Sequence, residues 1–274
     1  MDLGLDSIWV FDHLWPLSGG KDRPIFEGWT SLSWLAAATN EIGIGTLVTR
    51  SSLRHPALLA KMAATVGEAA PGRLTVAIGS GDHLSRGENE AFGIPYFDGA
   101  ERIEQFESAV RAVSTALRED EVTQRDDFVN LRALATSPRA RRRPSVWAAG
   151  RSDDSIDVAA RYGDGWNGWG GSPERWAQDA LRVTELAAEA GRRDVELTWA
   201  GSVVLGLDDS EASDKLGDRK AEDKVVGGPD TVARHLAALI DAGARHLVLT
   251  FADAGKPGSY ELLVEKVKPV LGLR

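Results

Sequence analysis

The sequence predicts a parallel α/β fold, and three observations carry that prediction. Short apolar runs alternate regularly with segments whose apolar residues recur at helical spacing. The runs are hydrophobic on both faces, as strands are when helices cover both sides of a sheet. The composition is that of a folded globular protein, with 43% hydrophobic and 27% charged residues in a chain of 274. Such alternation produces parallel strands joined by right-handed crossovers.

Seven strands are predicted, each bounded by Gly, Pro or polar residues: 7–11, 42–49, 74–78, 145–149, 165–169, 197–205 and 246–251. Six helices are predicted from apolar stripes and caps: 55–69, 102–117, 152–162, 173–190, 229–243 and 259–270. Seven such units make either an open doubly wound sheet or most of a closed (β/α)8 barrel. No change in composition marks a boundary, so one domain over residues 1–274 is expected. The charge-dense stretch 208–224 is interpreted as a solvated, mobile loop.

Charge and composition exclude several classes of function. The formal net charge of −9 argues against non-specific binding to nucleic acid or to an anionic membrane. The absence of cysteine excludes disulfides, thiolate catalysis and cysteine-ligated metals. No apolar run approaches the roughly 18 residues of a membrane span, so a cytoplasmic protein is expected. No metal site is expected, because His83, His235 and His246 lack partners at ligand spacing; His235 is placed on the polar face of its helix.

Polar residues follow the first strand at the edge where parallel α/β folds carry their chemistry. Asp12 and His13 stand there, and histidine is suited to proton transfer near neutral pH. The alternative interpretation is an aspartate that caps a turn and a histidine that packs beside Trp15. Position alone does not separate these two interpretations.

Two glycine-containing loops are candidates for anion binding. Ser80 and Gly81 follow the third strand, where glycine allows backbone N–H groups to approach an anion. Gly150, Arg151 and Ser152 open a helix, whose N-terminus favours negative charge. An ordinary turn for the first loop and simple capping by Ser152 for the second are the alternatives. The first loop is not a dinucleotide fingerprint, because no third glycine follows at the right place.

Taken in order, six segments resemble the bacterial luciferase-like monooxygenase superfamily and, more narrowly, its branch of coenzyme F420 (deazaflavin)-dependent oxidoreductases. They are 4–13, 45–49 with 54–61, 72–81, 91–95, 159–167, and 227–243 with 246–249. The resemblance implies a (β/α)8 TIM-type barrel with the tricyclic ring of the cofactor at its C-terminal mouth. In that family a strand and a helix usually precede segment 4–11, so the usual first unit is expected to be missing. The insertion that covers the mouth in many members is expected to be reduced to the 208–224 loop.

The resemblance also implies roles for individual residues. A non-prolyl cis peptide behind the ring would fall near Leu47 and Val48. Asp12 and Thr49 match positions that touch the ring or its edge. The positions that hold the ribityl-phosphate tail are matched by Ser80, Gly81, Gly150, Arg151 and Ser152. His13 and Asp82 match a histidine and an acidic residue that handle protons in sugar-phosphate dehydrogenases, although Asp82 is one methylene shorter than the usual glutamate.

The leading hypothesis is hydride transfer between reduced F420 and a small organic substrate, with His13 as acid or base and Asp82 as a second candidate. The first alternative is an FMN-dependent monooxygenase that uses O₂ and a partner reductase. The long acidic tail of F420 would favour basic groups at the exit, such as Arg50, Arg54 and Arg151. The second alternative is a truncated barrel that binds a flavin without catalysis. A homodimer is expected in each case, because symmetric dimers are the commonest oligomers.

Overall fold

The computed structural model describes residues 3–16, 22–251, 253 and 258–273. The chain divides into two compact units. The N-terminal unit spans Asp6–Gly165, and the C-terminal unit contains the described residues from 166 onward together with residues 3–5.

The strands of the N-terminal unit are β1 (Ser7–Val10), β2 (Gly43–Arg50), β3 (Leu74–Gly79), β4 (Val122–Arg125), β5 (Asn130–Leu134) and β6 (Ser145–Ala149). Its helices are α1 (Gly28–Ala38), α2 (Pro56–Ala69), α3 (Arg86–Ala91), α4 (Gly99–Arg118) and α5 (Asp153–Tyr162). Strands β1, β2, β3 and β6 are parallel neighbours in that order, and β4 and β5 form an antiparallel hairpin. This arrangement is the helix-covered parallel sheet that the apolar runs predict.

The core of the N-terminal unit lies between the parallel strands and the helices. Ile44 on β2, Val76 on β3 and Phe106 on α4 are almost fully buried. Trp9 stacks on Trp147 with ring centroids 5.0 Å apart, which links β1 to β6 across one face of the sheet. A side chain at position 45 would meet the Trp9 ring at 2.4 Å, so glycine is required beneath it.

The register of the sheet brings the ends of its strands together. Val10 lies opposite Thr46, and Arg50 lies opposite Gly79. Gly79 in turn lies opposite Ala149. The segments that follow β1, β2, β3 and β6 therefore leave the sheet side by side, at its carboxyl edge.

The strands assigned to the C-terminal unit are β7 (Gly165–Trp169), β8 (Glu196–Leu205), β9 (Lys224–Gly227) and β10 (His246–Phe251). Its helices are α6 (Pro173–Glu189), α7 (Asp209–Leu216), α8 (Pro229–Asp241), α9 (Gly258–Leu262), a π-helical turn Leu263–Val267 and α10 (Lys268–Val270). Strand β8 pairs in parallel with both β9 and β10. Asn167 donates a hydrogen bond to Thr198 at 2.9 Å, which ties β7 to β8. The core of this unit contains the buried rings of Trp166, Trp176 and Trp199.

All seven predicted strands are confirmed, with ends that shift by one residue at most. The prediction of a mobile loop over 208–224 is wrong, because this stretch contains α7 and the first residue of β9. Asp208 accepts a hydrogen bond from the Glu211 N–H at 2.8 Å, and Glu211 accepts one from the Leu207 N–H at 2.9 Å. These reciprocal caps support a helix whose residues are nearly all charged or small. Lys215 adds an ion pair with Glu211 at 3.1 Å.

His235 does not occupy the polar face of its helix as expected. Its ring centroid lies 5.6 Å from that of Trp199, and its Nε2 is buried. Burial lowers the pKa of His235, and the nearby charge of Glu174 opposes this effect. His235 is therefore part of the packing between α8 and β8.

Candidate active site

A buried carboxylate lies just beyond the carboxyl end of β1. Asp12 has no exposed surface. Arg54 contacts it in a bidentate manner, with Nη1 at 2.5 Å from Oδ2 and Nη2 at 3.0 Å from Oδ1. Thr49 donates a further hydrogen bond to Asp12 Oδ2 and accepts one from Trp29 Nε1 at 3.3 Å. The two residues predicted at the ring edge, Asp12 and Thr49, thus lie in one hydrogen-bond network.

The Arg54 guanidinium joins this network to α1. It forms a second ion pair with Glu27, whose side chain caps the helix by accepting from the Thr30 N–H at 2.7 Å. Burial disfavours the charge on Arg54, but Asp12 and Glu27 outweigh burial and raise its pKa. The pKa of Glu27 is lowered, because hydrogen bonds from Thr30 and the charge of Arg54 outweigh the opposing effect of burial.

His13 meets a second buried carboxylate, which comes from α3. Its Nδ1 lies 2.9 Å from Oε2 of Glu88, a side chain without exposed surface. Nη2 of Arg50 lies 3.0 Å from the same oxygen, and the Leu14 N–H donates to the other. Arg50 also donates from Nη1 to Asn89 Oδ1 at 2.8 Å. Burial lowers the pKa of Arg50, and the charge of Glu88 partly offsets that effect.

The expectation that Arg50 and Arg54 serve an acidic cofactor tail at the exit is wrong. Arg50 is 2% exposed, and its charge is directed to Glu88. The side chain of Arg54 is 13% exposed and is held by Asp12 and Glu27. Buried guanidinium groups require carboxylate partners, and the fold supplies these internally.

Asp82 serves as a local cap. Its Oδ1 accepts hydrogen bonds from the N–H groups of Leu84 at 2.9 Å and Ser85 at 3.2 Å. Together they begin the short 3₁₀ turn His83–Ser85. Within the part of the chain that the structure describes, Asp82 makes no hydrogen bond or ion pair with His13. The role of Asp82 in proton transfer remains a prediction.

The first predicted anion loop contains backbone that favours glycine. Gly81 has a φ of +75°, and its carbonyl accepts a hydrogen bond from Arg102 Nη1 at 2.8 Å. Ser80 and Gly81 line a small polar recess, with Ser52, Ser85, Tyr96, Phe97, Arg102 and Gln105. The buried Nε of Arg102 has no acceptor among the residues that the structure describes. A cation with an unmet N–H at the wall of a serine-lined recess suits an anionic ligand.

The second loop continues directly from β6. Gly150 has a φ of +150°, and a Cβ there would lie 2.6 Å from the Ser155 side chain. Ser152 caps α5, because its Oγ accepts from the Ser155 N–H at 3.2 Å. Arg151 stands between them, and the pairing of Gly79 with Ala149 places this loop beside the first. The capping interpretation of Ser152 is thus confirmed, and the adjacency favours a shared anion site.

The predicted non-prolyl cis peptide is present between Leu47 and Val48. The pairing of β2 with β3 shifts register across this bond, between Thr46 and Thr49. A Cβ at Gly79 would lie 2.6 Å from Val48 Cγ2, so the Val48 side chain occupies the space that glycine leaves open. Thr49 follows immediately and reaches Asp12.

The sequence matches the family model described as luciferase-like monooxygenase over residues 2–224. The chain belongs to this family. It is 26% identical to the F420-dependent glucose-6-phosphate dehydrogenase of Beutenbergia cavernae, over 99% of this chain and 90% of that protein. It is 30% identical to the phthiodiolone/phenolphthiodiolone dimycocerosates ketoreductase of Mycobacterium sp. strain JLS, over 94% of this chain and 70% of that protein. The chain is an oxidoreductase of the luciferase-like class.

Solved structures confirm the predicted fold class. An F420-dependent secondary alcohol dehydrogenase in complex with an F420-acetone adduct matches with a TM-score of 0.84 and 20% identity, covering 98% of this chain and 91% of that chain. A long-chain alkane monooxygenase matches with a TM-score of 0.78 and 16% identity, covering 99% of this chain and 82% of that chain. The fold is that of the TIM-type barrels of this family. None of the helices in the described ranges is long and apolar enough to cross a bilayer.

Proposed function

We propose that this chain transfers a hydride between coenzyme F420 and a small organic substrate, from the reduced cofactor to a carbonyl carbon or from an alcohol carbon to the oxidised cofactor. The observation that carries the proposal is the carboxylate-held histidine, His13 on Glu88, at the sheet edge that also carries the two anion loops. Relatives named as a dehydrogenase and a ketoreductase share the interconversion of a carbonyl and an alcohol. Both names support the same reaction class.

The residues of this chain fit a phosphate-bearing cofactor. The unmet Nε of Arg102 and the left-handed backbone at Gly81 suit an anionic group bound at this loop. Ser80, Gly81, Gly150, Arg151 and Ser152 would hold the phosphate tail, and Asp12, Leu47, Val48 and Thr49 would contact the ring. When bound, the deazaflavin would supply the hydride in its reduced form and accept one in its oxidised form. In the part of the chain that the structure describes, no cluster of acidic and histidine side chains is arranged to hold a metal ion.

His13 supplies the proton that accompanies the hydride. Its Nδ1 is engaged by Glu88, so Nε2 is the ring nitrogen left for the substrate. In the direction of reduction, a proton leaves Nε2 for the carbonyl oxygen as the carbon gains hydride. In the reverse direction, Nε2 takes the hydroxyl proton as the carbon loses hydride.

Separate titrations with F420 and FMN, followed by fluorescence quenching, test the cofactor. We expect preference for F420 and, with it, reduction of small ketones or oxidation of secondary alcohols. The alternative of an FMN-dependent monooxygenase is favoured by the likeness to the alkane monooxygenase structure. Preference for FMN would establish that alternative and redirect the search to a reductase.

The substitution His13→Ala tests the acid–base role. Loss of a positioned proton donor should lower kcat by roughly 10²- to 10⁴-fold. The Kd for F420 should change little, because the proposed tail contacts lie on other loops. The matched control is His55→Ala, since His55 caps α2 by accepting from the Ala57 N–H and lies outside the proposed site. Unchanged turnover in the His13→Ala variant would refute the role.

The oligomeric state and the compartment are also part of the proposal. We expect a homodimer in the cytoplasm that acts on a small molecule and does not bind nucleic acid. Multi-angle light scattering distinguishes a dimer from a monomer of 29.5 kDa. A monomeric mass at working concentration would remove the dimer from the proposal and leave the reaction class unaffected.

A further inference from the structure

We infer that Glu88, held in place by Arg50, is the positioning residue that fixes His13 as the Nδ1–H tautomer. The inference deepens the proposed function, because the same contact makes Nε2 the nitrogen that exchanges a proton with the substrate. Among the described residues, the Glu88 side chain makes no hydrogen bond or ion pair with the proposed ring contacts or with the anion loops. Its effect on the reaction is therefore exerted through His13.

The burial of Glu88 means that its carboxylate must find its partners within the protein. Glu88 has no exposed surface, while His13 is 16% exposed. A carboxylate removed from water must be satisfied by donors within the protein. Hydrogen bonds connect Glu88 to His13 Nδ1 and to the Leu14 N–H, and the guanidinium of Arg50 lies beside it as an ion-pair partner. The Leu14 N–H fixes the backbone next to His13, so the carboxylate holds both the ring and its attachment.

An acceptor at Nδ1 decides where the single proton of a neutral imidazole resides. A carboxylate oxygen 2.9 Å from Nδ1 requires a proton on that nitrogen. Nε2 then carries the lone pair in the neutral ring and a proton in the imidazolium ion. Carboxylates orient catalytic and metal-bound histidines by this means, and loss of such a partner typically costs 10–100-fold in activity.

Helix α3, which carries Glu88, is held at the end of β2 through the next residue, Asn89. The neighbouring Asn89 accepts from Arg50 at 2.8 Å and donates to the Pro95 carbonyl at 2.7 Å and to Ser52 at 3.2 Å. Arg50 itself lies at the end of β2, paired with Gly79. The position of the carboxylate is therefore set by the sheet, and α3 has little freedom to move it.

The competing explanation is a purely structural ion pair between Arg50 and Glu88 that joins α3 to β2. In that case the tautomer of His13 would not depend on Glu88. The two explanations differ in a property of the free protein that can be measured without cofactor or substrate. The test is thus independent of whether the proposed reaction is right.

The first measurement is a two-bond ¹H–¹⁵N correlation spectrum of the imidazole groups near pH 8.5, about two units above the ordinary histidine pKa. The chain has five histidines, and loss of one signal in His13→Gln assigns His13. We expect the Nδ1–H pattern in the wild type and its loss in Glu88→Met, which removes the oxygen acceptor. Glu90→Met is the matched control, because Glu90 lies exposed on the same helix.

A second variant guards against a folding defect in Glu88→Met, which leaves Arg50 without its counter-charge. The double substitution Arg50→Met with Glu88→Met replaces the buried pair by apolar side chains, which is often neutral for stability. It also removes the acceptor from Nδ1. If His13 keeps the Nδ1–H pattern in this folded double variant, the inference is wrong.

Kinetics provide the second readout. Glu88→Met should lower kcat by roughly 10- to 100-fold with little change in KM. In a His13→Ala background the same substitution should have no further effect. An additive effect would overturn the inference. If His13→Ala alone retains full turnover, the acid–base role proposed for His13 fails, while the tautomer measurement still decides the role of Glu88.

Discussion

Asp12 shows how strongly single residues of the site depend on one partner. Its buried carboxylate is satisfied by Arg54 and Thr49, and Arg54 supplies the only charge in direct contact among the described residues. Removing one member of a buried ion pair leaves an uncompensated charge. We therefore expect Arg54 to be needed for the stability of the fold as well as for the position of Asp12 at the proposed ring site.

The substitution Arg54→Met tests this dependence. We expect it to lower the free energy of unfolding by about 3–5 kcal/mol, because Asp12 would stay buried with only Thr49. Urea unfolding followed by circular dichroism measures the change. Arg86→Met is the control, since its pair with Asp98 is half-exposed and should contribute about 0–1 kcal/mol. Equal effects of the two substitutions would contradict the argument.

Glu88 and Glu90 illustrate what sequence cannot separate at this scale. They stand two residues apart on one short helix, in a run without apolar periodicity. One is fully buried against His13 and Arg50, and the other is exposed. Nothing in the local sequence distinguishes them, because the difference arises from the packing of α3 onto β2.

At the scale of elements, helix α7 depends on its caps more than on packing. Of its eight residues only Ala212 is buried. Asp208 and Glu211 supply the hydrogen bonds at its N-terminus. A helix this short is unstable in isolation, so its caps and its contacts with β8 and β9 decide whether it forms.

The substitution Asp208→Ala should therefore destabilise the chain by about 1 kcal/mol, the usual cost of losing an N-cap. Hydrogen exchange should accelerate in residues 209–216 and stay unchanged in α5, which has its own cap at Ser152. Mass spectrometry of peptides from both helices makes the comparison. Exchange that accelerates equally in both helices would show that the effect is not local to the cap.

The sequence analysis missed some elements for two different physical reasons. The hairpin strands β4 and β5 have only four and five residues, too few for their alternation to stand out. Helix α1 is apolar over most of its circumference, with Trp29 and Leu32 buried but Trp34 more than half exposed. Its sequence therefore lacks the one-sided stripe by which the other long helices are recognised.

At the scale of the whole molecule, Asp164 couples the acid stability of the fold to three segments. It accepts hydrogen bonds from Arg143, from Arg118 on α4 and from the Val146 N–H on β6. Burial raises its pKa, but these donors outweigh burial and lower the pKa to about 2, from an ordinary value of 3.8. The ionised form is thus bound more strongly in the folded state.

Because the folded-state pKa is depressed, the stabilisation from Asp164 is complete above the unfolded value of 3.8 and is lost as pH falls toward 2. The shift corresponds to about 2 kcal/mol. Unfolding free energies at pH 7, 5, 3.5 and 2.5 should show the gap between wild type and Asp164→Asn closing over this window. Asp120→Asn, at a fully exposed site, is the control and should leave the profile unchanged. A gap that stays constant with pH would contradict the linkage.

The sequence by itself determined the alternation of strands and helices, the family, the position of the cis peptide and the loops that follow the strands. The alternation and the loops are local features, because apolar runs, caps and glycines act through neighbouring residues. The family and the position of the cis peptide came instead from the resemblance of six segments taken in order. The tertiary structure alone decided that Glu88 pairs with His13, 75 residues away in sequence, and that Arg50 and Arg54 face inward. Those outcomes depend on the sheet register and on the requirement that buried charged groups are paired with opposite charges. Both arise only when distant segments are packed together.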